Sequence, residues 1–247
     1  MTAAGRRKLF LLAGTILGAL LVWGVLGLPR FGSFTGPYTT YLLEHAVTDR
    51  HASNVVMAVT FDYRGLDTLG EEFILFSAVM GVALLLRASR QDDEWERPED
   101  PQRIEPVRAF GILLVPVVII LGLWLIGHGQ VSPGGGFQGG VVLAGAALLL
   151  YLAGGYRGFR AATPTGLLDA AESIGAGGYV VFGLIGLGFG SFLVNFLPFG
   201  RVGFIDSGGT IAVINAFVGL EVASAFVLLF TEFLEEVTQT RAREGLS

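Results

Sequence analysis

The sequence contains no cysteine among its 247 residues. Disulfides, thiolate-bound metals, iron–sulfur clusters and cysteine nucleophiles are therefore excluded. Charged residues are also scarce, at 15% of the chain against the roughly 25% usual in soluble domains. The three histidines, His45, His51 and His128, lack the spacing of metal ligands. No basic patch indicates nucleic acid, and we expect neither a metal nor a cofactor.

Apolar residues make up 52% of the chain, and they occur in long runs separated by short charged segments. The hydrocarbon core of a bilayer, about 30 Å thick, needs about 20 such residues per helix. We therefore predict an all-α fold, a polytopic membrane helical bundle with about six transmembrane helices. The predicted helices are Leu9–Leu28, Gly70–Leu86, Ala109–Gly127, Phe137–Ala153, Ala171–Phe192 and Thr210–Phe230.

Orientation follows from Lys and Arg, which are enriched in cytoplasmic loops. Six helices with a cytoplasmic N-terminus place twelve of the sixteen basic residues inside. The apolar segment Ala52–Phe61 is too short to span and suits a re-entrant or interfacial position. Counted as a span, it would leave five basic residues inside and eleven outside. We therefore predict a multi-pass protein of the cell (inner) membrane with both termini in the cytoplasm.

The longest charged segment, Arg87–Arg108, contains seven acidic and five basic residues together with three prolines. Prolines and charges stop helices and keep a segment in water. We predict a two-helix module in residues 1–90, a cytoplasmic linker in 91–107 and a four-helix module in 108–247. An ordinary cytoplasmic loop is the alternative.

Acidic residues precede the second predicted helix, in the sequence FDYRGLDTLGEE. Asp67 and Glu71 lie four residues apart on one face of a helix, where they are candidates for an ion path entering from outside. A structural interpretation is equally open. Thr68 with Glu71 has the spacing of a capping box, and acids stabilise a helix N-terminus.

A glycine-rich segment, HGQVSPGGGFQGG, joins the third and fourth predicted helices. It has no Lys, so it is not a phosphate-binding loop. Pro133, Gly134, Gly135 and Gly136 predict a tight turn, because proline fixes φ and glycine permits positive φ. His128 at the helix end is a candidate proton carrier, or simply a stabilising cap.

The last predicted helix carries an acid, Glu221, near the middle of an apolar run. Such a group costs about 2.5–3.5 kcal/mol to insert, so it is a candidate for an ion pathway. It shares one helix face with Glu232 and Glu235, and hydrogen bonding to a neighbouring helix is the alternative role. Glu172, which starts the fifth helix, is a weaker candidate because the helix dipole accounts for it.

Two of these segments resemble a known family. HGQVSPGGGFQGG, and the ending GTIAVINAFVGLEVASAFVLLFTEFLEE, resemble the MnhB subunit of the multisubunit Mrp-type (Mnh) sodium/proton antiporters. The first module, with NVV followed by FDYRGLDTLGEE, resembles the C-terminal region of the MnhA protein of those antiporters, which is a separate small subunit in membrane-bound hydrogenases. The resemblance covers about 54–86 and 109–236.

The resemblance implies a transport subunit without a catalytic site of its own. Its partners would be the other subunits of an antiporter or related membrane complex, with Na⁺ and H⁺ as transported ions and lipid around it. Two alternatives stay open: the membrane arm of a hydrogenase or related respiratory complex, and a purely structural scaffold. An intramembrane hydrolase would need a Ser–His pair, an Asp pair within helices or an HExxH motif, which are not found.

The topology can be tested by cysteine labelling, because the chain has no cysteine of its own. We expect an impermeant thiol reagent to label Gln130→Cys in intact cells. Ser89→Cys and Gln239→Cys should react only after permeabilisation. Labelling of Ser89→Cys from outside would overturn the orientation.

Overall fold

The computed structural model describes residues 3–30, 32–33, 36–90 and 105–243, and these contain helices but no strand. The helices are α1 (Ala3–Leu26), α2 (Pro37–Arg50), α3 (Val55–Ala58), α4 (Gly65–Arg90), α5 (Glu105–Gly127), α6 (Gly136–Ala162), α7 (Thr165–Leu187) and α8 (Thr210–Arg243). A π-helical turn, Val59–Tyr63, follows α3. Helices α1 and α4 to α8 are long and apolar enough to cross a membrane, which confirms the predicted six-helix bundle.

Several helix boundaries differ from the prediction. Helix α4 begins at Gly65, five residues early, because its first turns are acidic and resemble a loop in the sequence. Helix α6 continues to Ala162 across a break at Gly155, where φ is +77°. Helix α7 covers Thr165–Leu187 rather than Ala171–Phe192, since its first turn is polar and the apolar residues after Leu187 form a loop.

The predicted linker lies largely outside the described residues, which omit 91–104. Its last residues, 105–107, belong to α5, and the module assignment stays a prediction. The segment Ala52–Phe61 contains α3 and most of the π-helical turn and is absent from the six candidate spans. Whether it is re-entrant or interfacial stays open.

The chain divides into two compact units, Met1–Tyr41 and Leu42–Ser247. The first contains α1, whose apolar side chains, such as Leu17 and Trp23, are exposed. The second contains α3 to α8 and is organised around α8. Helix α8 packs against α4, α6 and α7, and 56% of its most apolar stretch is buried, against 39% or less in the other candidate spans.

Glycines allow the helices around α8 to approach closely. A Cβ added at Gly140 of α6 would lie 2.8 Å from the Cβ of Val222. One added at Gly178 of α7 would lie 2.5 Å from the ring of Phe217. Close packing between small residues drives helix association where lipid removes the hydrophobic difference between interior and surroundings. These contacts make α8 the fixed centre of the unit.

Two asparagines hold the glycine-rich loop. The Asn54 side chain donates hydrogen bonds to the carbonyls of Gly129 (2.8 Å) and Ser132 (3.0 Å). On α8, Asn215 accepts from the Gly136 amide and donates to the Ile126 carbonyl. Each amide satisfies loop groups that would otherwise be buried without partners. The loop is thus fixed from the first predicted module and from α8 together.

The structure also bears on the labelling experiment. Gln130 is 1% exposed, and its amide donates to the Ile205 carbonyl at 2.7 Å. A cysteine there would be inaccessible to the reagent. Val202, 45% exposed in the loop between α7 and α8, is on the same predicted side and is the better external probe.

The loop geometry predicts that Gly135 does not tolerate a side chain. Its φ is +145°, and an added Cβ would lie 2.9 Å from Oε1 of Gln138 and 3.2 Å from Sδ of Met57. Gly135→Ala should destabilise the protein by about 1–3 kcal/mol, measured as a loss of thermal stability. Gly127→Ala is the control, because an added Cβ there meets nothing within 4 Å. Equal stability of the two variants would contradict this account of the turn.

Candidate ion-translocation site

Glu221 lies at the centre of the bundle. Its side chain is 0% exposed, and it is the twelfth residue of α8, about 16 Å along the helix from Thr210. The predicted mid-helix acid is therefore buried by protein, not by lipid. An ionised group in such surroundings is costly unless it is paired.

Gly175 of α7 fixes the backbone at Glu221. A Cβ added at Gly175 would lie 2.7 Å from the Glu221 amide nitrogen and 2.8 Å from its Cα. These distances are too short for any residue but glycine, so α7 and α8 touch backbone to backbone at this level. The side of Glu221 that faces α7 is closed by this contact.

The partner of Glu221 is Glu72 of α4, which is 1% exposed. Their carboxyl groups lie within hydrogen-bonding reach of each other. No donor among the described residues bonds to any of the four carboxyl oxygens. Because an ionised carboxylate only accepts hydrogen bonds, the two groups can bond only when at least one proton lies between them. The geometry is that of an acid pair sharing a proton.

The surroundings of this acid pair, Glu72 and Glu221, supply no positive charge. Across residues 65–86, 165–187 and 210–236, the spans of α4, α7 and α8, the sequence has neither Lys nor Arg. The nearby titratable groups are Glu71 and Tyr179. The Tyr179 hydroxyl donates to the Gly65 carbonyl at 2.7 Å, so its proton is already used. Only protons, or a bound cation, can compensate the charge of the pair.

The structure separates Asp67 and Glu71 from the buried pair. Asp67 forms an exposed ion pair with Arg64, and Glu71 lies on the exposed side of α4. The capping-box interpretation is wrong, since α4 starts before Thr68 and the Thr68 hydroxyl donates to the Thr60 carbonyl at 2.8 Å. A role for Asp67 and Glu71 in ion movement stays a prediction.

His128 is not brought near any of the candidate acids. Its ring stacks on Trp124 with centroids 5.1 Å apart, and Nδ1 lies 3.3 Å from the Trp124 carbonyl oxygen. These contacts fit the cap at the end of α5 that was the alternative interpretation. Proton transfer by His128 stays a prediction.

A second group of acids lies toward the C-terminal end of α8. Glu232 and Glu172 are each 1% exposed. Glu235 accepts a hydrogen bond from the Tyr156 hydroxyl at 2.6 Å and lies 3.4 Å from Nε of Arg160. Unlike the pair at Glu221, these acids have a guanidinium close by.

An ion pair and a pocket of about 210 Å³ lie at the opposite end of the unit, near the start of α4. Oδ1 of Asp62 is 2.7 Å from Nε of Arg50, and both residues line the pocket with Phe199. Burial lowers the pKa of Arg50, but the hydrogen bond and charge of Asp62 outweigh burial, so the pKa lies above its ordinary value. The pair therefore stays charged at physiological pH.

Comparison with known proteins identifies the chain. Residues 106–228 match a family model described as a domain related to the MnhB subunit of Na⁺/H⁺ antiporters, and residues 6–102 match the MbhE subunit of MBH. An archaeal membrane-bound sulfane sulfur reductase complex contains a chain 32% identical, with a TM-score of 0.72, covering 93% of this chain and 98% of that one. The chain belongs to the MnhB-related family of antiporter subunits.

Three further relatives are similar. A protein of Methanocaldococcus jannaschii is 32% identical over 68% of this chain and 72% of its own length. A probable A/B subunit of a K⁺/H⁺ antiporter of Rhizobium meliloti is 36% identical over 48% of this chain, which spans only 14% of that protein. A chain of the Mrp complex from Dietzia sp. DQ12-45-1b is 27% identical with a TM-score of 0.72, over 94% of this chain and 26% of that one.

The two family segments meet at the acid pair. Glu72 lies in the segment that matches MbhE, and Glu221 lies in the MnhB-related segment. The sequence patterns indicated Glu221 but missed Glu72. Glu72 is on the same α4 face as Thr68 and Val79, which are also buried, and this periodicity was the available signal.

The contact between α7 and α8 gives a direct test of the site. Gly175→Ala should force the backbones apart, displace Glu221 and destabilise the protein by about 1–3 kcal/mol, the usual cost of overpacking. Gly177→Ala in the same helix is the matched control, because an added Cβ there meets nothing within 4 Å. Thermal unfolding of both variants measures the difference, and an unaffected Gly175→Ala would contradict the close approach.

Proposed function

We propose that this MnhB-related chain is a membrane subunit of a multisubunit cation/proton antiporter complex, contributing to sodium and proton translocation and to assembly of the complex. It acts in transport and has no catalytic site of its own. The observation that carries this proposal is the acid pair of Glu72 and Glu221, buried where α4 meets α8. The family membership and the likeness to a chain of the Mrp complex support the same role.

The acid pair has the chemistry that a proton relay needs. With one proton between them the two groups form a strong, charge-assisted hydrogen bond. Losing that proton leaves two like charges in contact, and gaining a second proton neutralises the pair. Each step changes the charge buried at the α4–α8 interface. Movement of a proton or hydrated cation nearby would therefore be felt by the pair.

Other subunits are proposed to cover the exposed acids. Asp67 and Glu71 lie on the side of α4 that the described part of the chain leaves exposed. In a membrane complex, an ionisable group on such a surface is favourable only against a polar neighbour or a water-filled path. We propose that partner subunits provide that path in the cell (inner) membrane, with both termini of this chain in the cytoplasm.

The transported cation is proposed to be monovalent. The matching family is named for Na⁺/H⁺ antiport, whereas the rhizobial relative is named for K⁺/H⁺ antiport. Comparing Na⁺ and K⁺ as the driving cation in the same vesicles would decide between them.

The central test replaces Glu221. Glu221→Gln keeps the shape of the side chain but cannot ionise, so we expect assembly to persist while cation-driven pH-gradient formation slows. A loss of about tenfold corresponds to ~1.4 kcal/mol of barrier. Glu72→Gln should show a similar loss, and Glu221→Asp should retain part of the activity. The measurement uses membrane vesicles, with flux normalised to assembled complex.

His128→Gln is the control, since His128 is remote from the pair and stacks on Trp124. Wild-type flux from an assembled Glu221→Gln variant would show that the pair only holds the helices together. The chain would then act as a scaffold.

A second function is favoured by two observations, the match to MbhE and the likeness to a chain of an archaeal respiratory membrane complex. In that case the chain belongs to the membrane arm of a redox-driven complex. Purification of the native complex separates the two functions. Co-purified redox subunits, with cation flux that requires an electron donor, would favour the respiratory arm.

A further inference from the structure

The contacts between α4 and α8 follow a single register. Glu72 faces Glu221, and Val79, seven residues after Glu72, packs with Leu228, seven residues after Glu221. Matching steps in the same direction mean that the two helices run parallel along this seam. The contact of Val79 with Leu228 therefore lies about 10 Å beyond the acid pair.

That contact belongs to a closed apolar layer. Val79, Ala225 and Leu228 are 1%, 0% and 1% exposed and form one cluster. Side chains of three leucines pack against the cluster from outside, namely Leu75, Leu168 and Leu229. A close-packed apolar layer offers water neither space nor hydrogen-bond partners.

Buried acids follow on the far side of this layer. Glu232 is one helical turn beyond Leu228 on α8, and Glu172 is buried near the start of α7. The buried face of α8 thus reads Glu221, Ala225, Leu228, Glu232. The predicted acidic face that was to connect Glu221 with Glu232 is interrupted in this structure by an apolar layer.

The acid pair is enclosed in the other direction as well. Phe61, Leu69 and Val218 are 2%, 8% and 0% exposed and belong to the cluster on the N-terminal side of the pair. The pair is therefore occluded between two apolar clusters. The barrier toward Glu232 is the thinner one, because it is a single layer of side chains.

We infer that Val79, Ala225 and Leu228 form a gate that keeps the acid pair from exchanging protons directly with Glu172 and Glu232. The inference rests on the proposed role of the pair in proton translocation. With the gate closed, water cannot connect the two groups of acids, so a proton crosses only when α4 and α8 move apart. The gate prevents a proton leak and couples transfer to a helix movement.

Exchange of the shared proton for deuterium tests this gate without requiring transport. The purified complex, reconstituted in lipid, is transferred to D₂O, and infrared spectroscopy follows the protonated carboxyl band. The wild-type spectrum minus the Glu221→Gln spectrum isolates the band of the pair. We expect slow exchange in the wild type and several-fold faster exchange in Leu228→Asn, where a polar side chain admits water.

Two further variants guard the interpretation. Leu220→Asn makes the same substitution on α8 at an exposed side chain and should exchange at the wild-type rate. Val79→Thr adds one hydroxyl to the layer with little change of shape. It provides the test if Leu228→Asn does not assemble, and its exchange should also be faster than wild type.

The outcomes separate this inference from the proposed function. Wild-type exchange rates in assembled Leu228→Asn or Val79→Thr would overturn the gate while leaving the role of the pair intact. Faster exchange in Leu220→Asn as well would also overturn it, because the effect would then not belong to this layer. Absence of a carboxyl band in the wild type would show that the pair holds no proton, which removes the gate and the proton relay together.

Discussion

A carboxylate surrounded by protein and far from any positive charge is the constraint on which the rest of the structure depends. Glu72 and Glu221 have neither a basic neighbour nor a hydrogen-bond donor in the described part of the chain. Burial of an isolated ionised carboxylate would cost far more than the net stability of a small domain. The pair is therefore stable only with a proton between its members, so protonation and helix packing are linked.

The packing around the pair accommodates this requirement through small residues. Gly175 brings α7 against the backbone of Glu221, and Gly140 brings α6 against Val222, the next residue. With α8 held on two sides by direct contacts, the remaining direction for the Glu221 side chain is toward α4. The glycines that look like ordinary membrane-packing residues in the sequence thus decide where the charge points.

The sequence predicted the membrane bundle well because the bilayer imposes a length and polarity that composition reveals directly. Glu221 was predictable for the same reason, since an acid in the middle of an apolar run has no local explanation. Glu72 was not, because it follows Glu71 and precedes an apolar run, where the helix dipole already accounts for acids. Only the packing of α4 on α8 distinguishes the buried glutamate from the exposed one. The break at Gly155 and the early start of α4 also depend on tertiary contacts that local propensity does not contain.

The meeting of two family segments at one pair of side chains has a consequence for biosynthesis. If α4 and α8 were made as separate polypeptides, each would enter the membrane with an unmatched acid and would depend on diffusion to find its complement. A covalent connection gives the two halves equal stoichiometry and a high effective concentration for each other. The single chain thereby shortens the time during which either glutamate is exposed to lipid, and quality control would meet fewer orphaned halves.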